Sequence, residues 1–334
     1  MLLNTPRRWA RVRTVLTVAL LLVGGTLLGS ARSDAANGVD ATSQCLQLHG
    51  QRLGLVGDAN GDGQVTVDEL LMAVNNAASG CQLMPIDLQF RAMVGTATFG
   101  CGNVYHNVGT SQADITPSDF RFYIHDIRLV NGDGAEVPLT LVQDHLWQLD
   151  NLALLDFENK VRPCNEGTTQ TNSTVHGFAP PDEYTGVRFR LGVPFDMDHI
   201  DEATAPSPLN LSGMFWSWQD GYKFLRIDTA FDNVRVHVGS TGCVSGPGSV
   251  VTSCARPNIG EIELDNFNPS RNVIAADLAA LLSDNDINAN QPDTAPGCQS
   301  DPGDLDCVPM FKNLGVNFSD GSPNPTSQKF FRVQ

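Results

Sequence analysis

Asp119-Phe-Arg-Phe-Tyr-Ile-His-Asp-Ile-Arg-Leu-Val130, followed at once by Asn131-Gly-Asp-Gly134, decides the fold class. The run is dense in aromatic and β-branched residues, and the glycine-punctuated tetrad after it is a turn between two strands. Similar β-type runs recur outward from it, at 87–98, 137–150, 184–193, 213–228, 233–239 and 259–266. Gly and Pro punctuate the rest, and one helix is expected near Ile274–Leu282. With no long amphipathic helix, the pattern predicts a mainly β chain: one antiparallel β-sandwich with long loops over residues 86–334. The stretch from Ser283 to Asp306 is rich in Asp, Asn and Pro and needs its own cross-link to stay ordered.

Upstream of that domain lies a different signal. Asp58-Ala-Asn60-Gly-Asp62-Gly63-Gln64-Val-Thr66-Val-Asp-Glu69 matches an EF-hand calcium loop. Asp58, Asn60 and Asp62 supply oxygens at positions 1, 3 and 5, and Gly63 permits the sharp turn. Gln64 offers its carbonyl, Thr66 a side chain or bridging water, and Glu69 a bidentate carboxylate. Leu70, Leu71, Val74 and Ala77 follow at helical spacing, whereas Gly50, Gly54 and Gly57 argue against an entering helix. Residues 37–85 therefore read as a dockerin-like loop–helix half-unit, bracketed by Cys45 and Cys81. A bridge between those two cysteines would remove roughly 4 kcal/mol of unfolded-state freedom, holding a module too small for a real core.

Residues 1–36 read as an export signal. Arg7, Arg8, Arg11 and Arg13 precede an apolar stretch from Val15 to Leu28, with cleavage expected after Ala31 or Ala35. The apolar run is short for a stable span, and no other segment would cross a bilayer. Export fits the eight cysteines: Cys45, Cys81, Cys101, Cys164, Cys243, Cys254, Cys298 and Cys307, an even count with no CxxC pair. In an oxidising compartment, periplasmic or extracellular, they read as four disulfides. Connectivity does not follow from sequence; proximity suggests Cys45–Cys81, Cys243–Cys254 and Cys298–Cys307, leaving Cys101–Cys164. Zinc ligation is the alternative, which these spacings do not suit. The full chain carries a formal charge of −16, and loss of five Arg and one Asp with the signal takes it to −20. Such a field repels nucleic acid and anionic lipid.

Within the large domain, Gly213-Met-Phe-Trp216-Ser-Trp218-Gln-Asp-Gly-Tyr222-Lys-Phe-Leu-Arg-Ile-Asp228 stands out. On a strand, Met214, Trp216 and Trp218 would share one face, as core packing or as a stacking platform for sugar. His237 lies in Val234-Arg-Val-His-Val-Gly-Ser-Thr-Gly-Cys243, where Val234, Val236 and Val238 would face one way and the imidazole the other. His199 sits in a carboxylate-dense loop with Asp196, Asp198, Asp201 and Glu202, and His125 in the opening strand. Converging neutral imidazoles would suit copper or zinc. Hydrolase signals are weak: there is no HExxH, Gly239-Ser-Thr-Gly is not a nucleophile elbow, and the acids of 196–202 are too crowded for two opposed catalytic groups.

The stretches FGCGNVYHNVG, DFRFYIHDIRL, LALLDFE, TQTNSTVHG, YTGVRFRLGVPFDMDH, PLNLSGMFWSWQDGYKFLRID and HVGSTGC run from about residue 88 to 310. Together they resemble the MbnP-like family, also called metallo-mystery pair four-Cys-motif proteins. The resemblance implies a periplasmic copper-binding β-sandwich. It also implies a partner, a di-haem c-type protein related to MauG-type peroxidases, which oxidises a tryptophan to kynurenine at the copper site. By position that residue is Trp216 or Trp218, with His199 and His237 the preferred ligands and His125 a further one. An indole N–H only donates, whereas the aniline nitrogen of a ring-opened indole carries a lone pair. Asp220 or Asp228 would orient an imidazole. The calcium module is a departure from the family pattern. The expectation is thus a binding protein, not an enzyme, using copper and calcium. The alternative is a calcium-dependent cell-surface or carbohydrate-binding protein that stacks sugar on Trp216 and Trp218.

Overall fold

A computed structural model describes residues 83–230 and 234–334. The expected signal peptide, the calcium loop with Asp58, Asn60, Asp62, Gln64, Thr66 and Glu69, and the Cys45–Cys81 pair lie outside the described residues.

The strand Pro117–Asn131 is fifteen residues long and organises the larger sheet. Its first half pairs with Leu225–Thr229 on one side and Leu152–Asp156 on the other. Its second half pairs with Tyr184–Leu191 and Glu136–Pro138. The order across this sheet is Gly260–Asp265, Tyr184–Leu191, Pro117–Asn131, Leu225–Thr229, Arg235–Val238 and Gly297–Cys298. A smaller sheet runs Phe331–Val333, Ile274–Asp277, Met84–Val94, Thr174–Ala179 and Thr140–Leu141. Pairing is antiparallel except for Met84–Val94 with Ile274–Asp277 and Arg235–Val238 with Gly297–Cys298. The two sheets meet through phenylalanines, which makes the domain a β-sandwich. Phe90 of the smaller sheet sits 6.0 Å from Phe122 and 5.9 Å from Phe189 of the larger, with Phe331 5.4 Å from Phe122.

Period-two alternation positions the site. Phe120, Phe122 and Ile124 point into this main core, so Asp119, Arg121, Tyr123 and His125 point to the other face. Likewise Val234, Val236 and Val238 are core and His237 faces away, as their spacing predicts. A second apolar cluster forms on that outer face, where the 193–224 region folds over Tyr123, Leu152 and Leu154 with Leu209, Met214, Tyr222 and Phe224.

Three elements differ from the sequence expectation. The helix expected near Ile274–Leu282 is a buried strand, Ile274–Asp277, followed by one turn of helix, Leu278–Leu281. Parallel pairing with Met84–Val94 claims the first four residues, and Asp277 then caps the helix by accepting from Ala279 N at 2.9 Å. The 213–228 run is not one strand. A 3-10 turn at Ser212–Met214 leads to a tight hairpin, Phe215–Ser217 with Gly221–Tyr222, before Leu225–Thr229 begins. Met214 is therefore buried, Trp216 half-buried and Trp218 exposed, and the three do not share a face. The 137–150 run breaks into short pieces because the Asp144 carboxylate accepts from the backbone of Leu146, Trp147 and Gln148 and turns the chain.

Cys101–Cys164, Cys243–Cys254 and Cys298–Cys307 are disulfides; proximity suggested the last two, and the first is the pair that remained. Among the described residues no helix is long and apolar enough to cross a membrane.

Candidate metal centre

A buried ladder of charge crosses the outer face of the larger sheet. Arg121 donates to Asp119, Arg226 lies 3.2 Å from Asp119 and donates to Asp228 at 2.8 Å, and His237 Nε2 is 2.6 Å from Asp228 Oδ1. The strands explain it. Asp119 with Arg121, and Arg226 with Asp228, are two apart on one face, and Arg226 stands opposite both Arg121 and His237 in register. Burial opposes ionisation of Asp228, but the bond from His237 and the Arg226 guanidinium overcome it and hold this carboxyl well below the usual carboxylate range. A carboxylate only accepts, so the proton of His237 sits on Nε2.

The other nitrogen, His237 Nδ1, is buried and has no hydrogen-bond partner. An orphaned acceptor of this kind costs about 1–3 kcal/mol unless something fills its lone pair. The Trp216 ring lies beside it, centroids 6.5 Å apart. Gly239 makes that approach possible, since a Cβ there would meet Trp216 Cζ3 at 2.5 Å and Tyr222 O at 2.6 Å. His237 and Gly239 thus divide the work of one motif: the first presents an imidazole, the second leaves room for the indole. Over the same ring, Lys223 Nζ sits 5.7 Å from the centroid and donates to Gly213 O and Phe215 O. Burial, reinforced by Arg226, brings the Lys223 ammonium down to about 8. A polar cleft of about 530 Å3, lined by Glu166, Arg226, Asp228, Arg235 and His237, opens beside the ladder.

His199 is held differently. Its Nδ1 donates to Trp218 O at 3.1 Å, which leaves Nε2 as the acceptor, 3.4 Å from Cys254 Sγ. The loop is anchored by the preceding residue. Asp198 accepts from Tyr222 N at 2.8 Å and Ser240 Oγ at 2.5 Å. Burial outweighs those bonds and lifts the Asp198 carboxyl to about 6. His125 Nδ1 donates to Gly192 O at 2.9 Å, and burial lowers its pKa, so the ring is neutral. The three imidazoles do not form one cluster. Among the described residues the single trio of His, Cys, Asp or Glu atoms within 4.8 Å of one another is His199, Cys243 and Cys254.

Of the acids expected to orient an imidazole, Asp228 does so and Asp220 instead bonds Ser217 Oγ at 2.7 Å. Sequence reasoning missed Lys223, Arg226 and the anchoring role of Asp198. A signal existed for one of them: Asp119-Phe-Arg121 and Arg226-Ile-Asp228 place opposite charges two apart on strands whose alternate residues are core.

A family model described as MbnP matches residues 84–300. A search of solved structures finds MbnP from Methylosinus trichosporium at 30% identity and TM-score 0.66, covering 75% of this chain and 98% of that one. No curated protein matches the chain.

Proposed function

The chain belongs to the MbnP family, and from that premise we propose that it is an exported copper-binding protein in metal homeostasis or delivery. The observation that carries the reading is the free, buried Nδ1 of His237, whose opposite nitrogen is fixed by a carboxylate. Metal-ligating histidines are oriented in this way, with the second ring nitrogen donating to an acid. The site fits copper, since imidazole ranks copper first among divalent ions.

Trp216 is the tryptophan we assign to the site, since it flanks His237 while Trp218 is 46% exposed. Its indole N–H cannot ligate, so the reading includes oxidation to kynurenine by a di-haem MauG-like partner, which exposes an aniline nitrogen. Bound copper would supply a redox-active Lewis acid. The chain's own residues orient His237, keep Asp228 ionised and hold Trp216 against Gly239. His199 and His125 do not join His237 in one cluster and are left out of this assignment, and the protein is read as a binder rather than an enzyme. The disulfides support a periplasmic or secreted location.

His237→Ala should lower copper affinity more than ~10-fold by chelator competition, since losing even an outer partner of a ligand costs that much. Unchanged affinity would overturn the site. Intact mass from the native host should show conversion of one tryptophan to kynurenine, and peptide mapping should place it at residue 216. An unmodified chain would remove the partner.

A further inference from the structure

The Cys243–Cys254 disulfide stands apart from the other two described. It joins facing residues of an outlying two-stranded ribbon, Thr241–Ser245 with Val251–Arg256, and both cysteines are partly exposed. In the other pairs Cys164, Cys298 and Cys307 are fully buried. A cavity of about 340 Å3 opens onto Cys254, walled by Phe195, Phe224 and Ile259 with Asp198 and Ser240 among its polar groups. The His199 imidazole meets the same bond. With Nδ1–H committed to Trp218 O, its Nε2 faces Cys254 Sγ at 3.4 Å and Asp198 Oδ2 at 3.5 Å, and Nε2 and the two sulfurs lie within 4.8 Å of one another. A disulfide sulfur is a poor ligand. Two thiolates and an imidazole at that separation are a complete soft donor set.

We propose that Cys243–Cys254 is a reducible bond and that its reduction creates a second metal site, Cys243, Cys254 and His199, for monovalent copper. The reductant is a dithiol. One of its thiolates reaches Cys254 Sγ through the cavity and forms a mixed disulfide; the Cys243–Cys254 bond breaks and Cys243 leaves as a thiolate that takes a proton. The donor's second thiol attacks the mixed bond and releases Cys254. Two electrons and two protons have moved: the chain's disulfide has become two thiols, and the donor's dithiol a disulfide. Binding the ion then displaces both thiol protons. Thiolates select Cu(I) and zinc among common metals. A closed zinc site wants four ligands, and the nearest fourth, Asp198, already accepts from Ser240 and Tyr222. Three soft donors suit Cu(I).

This site shares no atom with His237 and does not rest on the kynurenine reading. The test uses the full chain, oxidised or reduced anaerobically with a phosphine that is then removed, titrated with Cu(I) held by a chromophoric chelator. Alkylation and peptide mapping report which thiols have opened. Cys243 and Cys254 should label first, and the reduced chain should take up one more equivalent of Cu(I) than the oxidised chain. His199→Ala should weaken that extra equivalent at least ~10-fold. The double variant Cys243→Ala/Cys254→Ala should lose it while keeping its thermal unfolding midpoint within a few degrees, because the ribbon lies outside both sheets. His237→Ala should keep it. Equal uptake before and after reduction, prior opening of another pair, or an extra equivalent that survives the double variant overturns the proposal.

Discussion

His237 is asymmetric: one ring nitrogen is fixed by Asp228 at 2.6 Å and the other is buried without a partner. The carboxylate chooses the tautomer, so its charge rather than its shape should matter for binding. Asp228→Asn keeps the volume but removes the charge and allows the amide to present a donor to Nε2. Copper affinity should fall by ~10–100-fold with the fold retained, checked by chelator competition alongside circular dichroism. An Asn variant that binds as tightly as the parent would show that the acid only packs. Gly239 makes a complementary case. A methyl there has Trp216 Cζ3 at 2.5 Å and Tyr222 O at 2.6 Å, and the latter is backbone that cannot swing aside. Gly239→Ala should cost about 1–3 kcal/mol in chemical denaturation and weaken copper binding by displacing the indole. Parental stability and affinity would show that the close approach is unnecessary.

At the scale of elements, the strand Pro117–Asn131 is amphipathic in an unusual sense: one face is phenylalanine core and the other a buried row of charge. Arg226 is the link in that row, between Asp119 at 3.2 Å and Asp228 at 2.8 Å. Removing it takes one cationic partner from each of two buried carboxylates, leaving Arg121 on Asp119 and His237 on Asp228, so Arg226→Met should destabilise by about 1–3 kcal/mol. Cutting the exposed Arg128–Glu136 pair should cost about 0–1 kcal/mol. Urea midpoints of the two variants check the contrast, and similar losses would mean the ladder is not coupled. These strands also show what a sequence can and cannot reveal. The alternation of Val234, Val236 and Val238 against His237 is visible because it reports a local period. The strand Leu152–Asp156 carries no alternation, since both its faces are covered. Ile274–Asp277 looks helical until a parallel neighbour takes its backbone bonds. Which partner each histidine meets depends on the hairpin after Met214 and on the loop fixed by Asp198, contacts between residues distant along the chain.

For the whole molecule, acidity and burial act together on stability. The chain carries a formal −16, so protonation relieves self-repulsion. Beneath the ladder, burial lifts the Asp156 carboxyl from 3.8 to about 7 against the pull of Arg121, and it raises Asp119 and Glu158 in the same direction. A carboxyl whose folded pKa exceeds its unfolded value binds its proton more tightly when folded. Its contribution is therefore present in full below the unfolded value and is lost as pH rises through the folded one. Asp228 has the opposite sign, held below 3.8, and its contribution is lost only on acidification below that value. The two trends place the stability maximum on the acid side of neutrality, at about pH 4–5. Thermal unfolding midpoints should fall as pH rises from about 5 to 8, and Asp156→Asn should make that decline shallower by removing a carboxyl that burial lifts to about 7. A midpoint that climbs toward pH 8, or a decline unaltered in the Asn variant, would show that Asp156 is ionised in the folded protein and that Arg121 outweighs its desolvation.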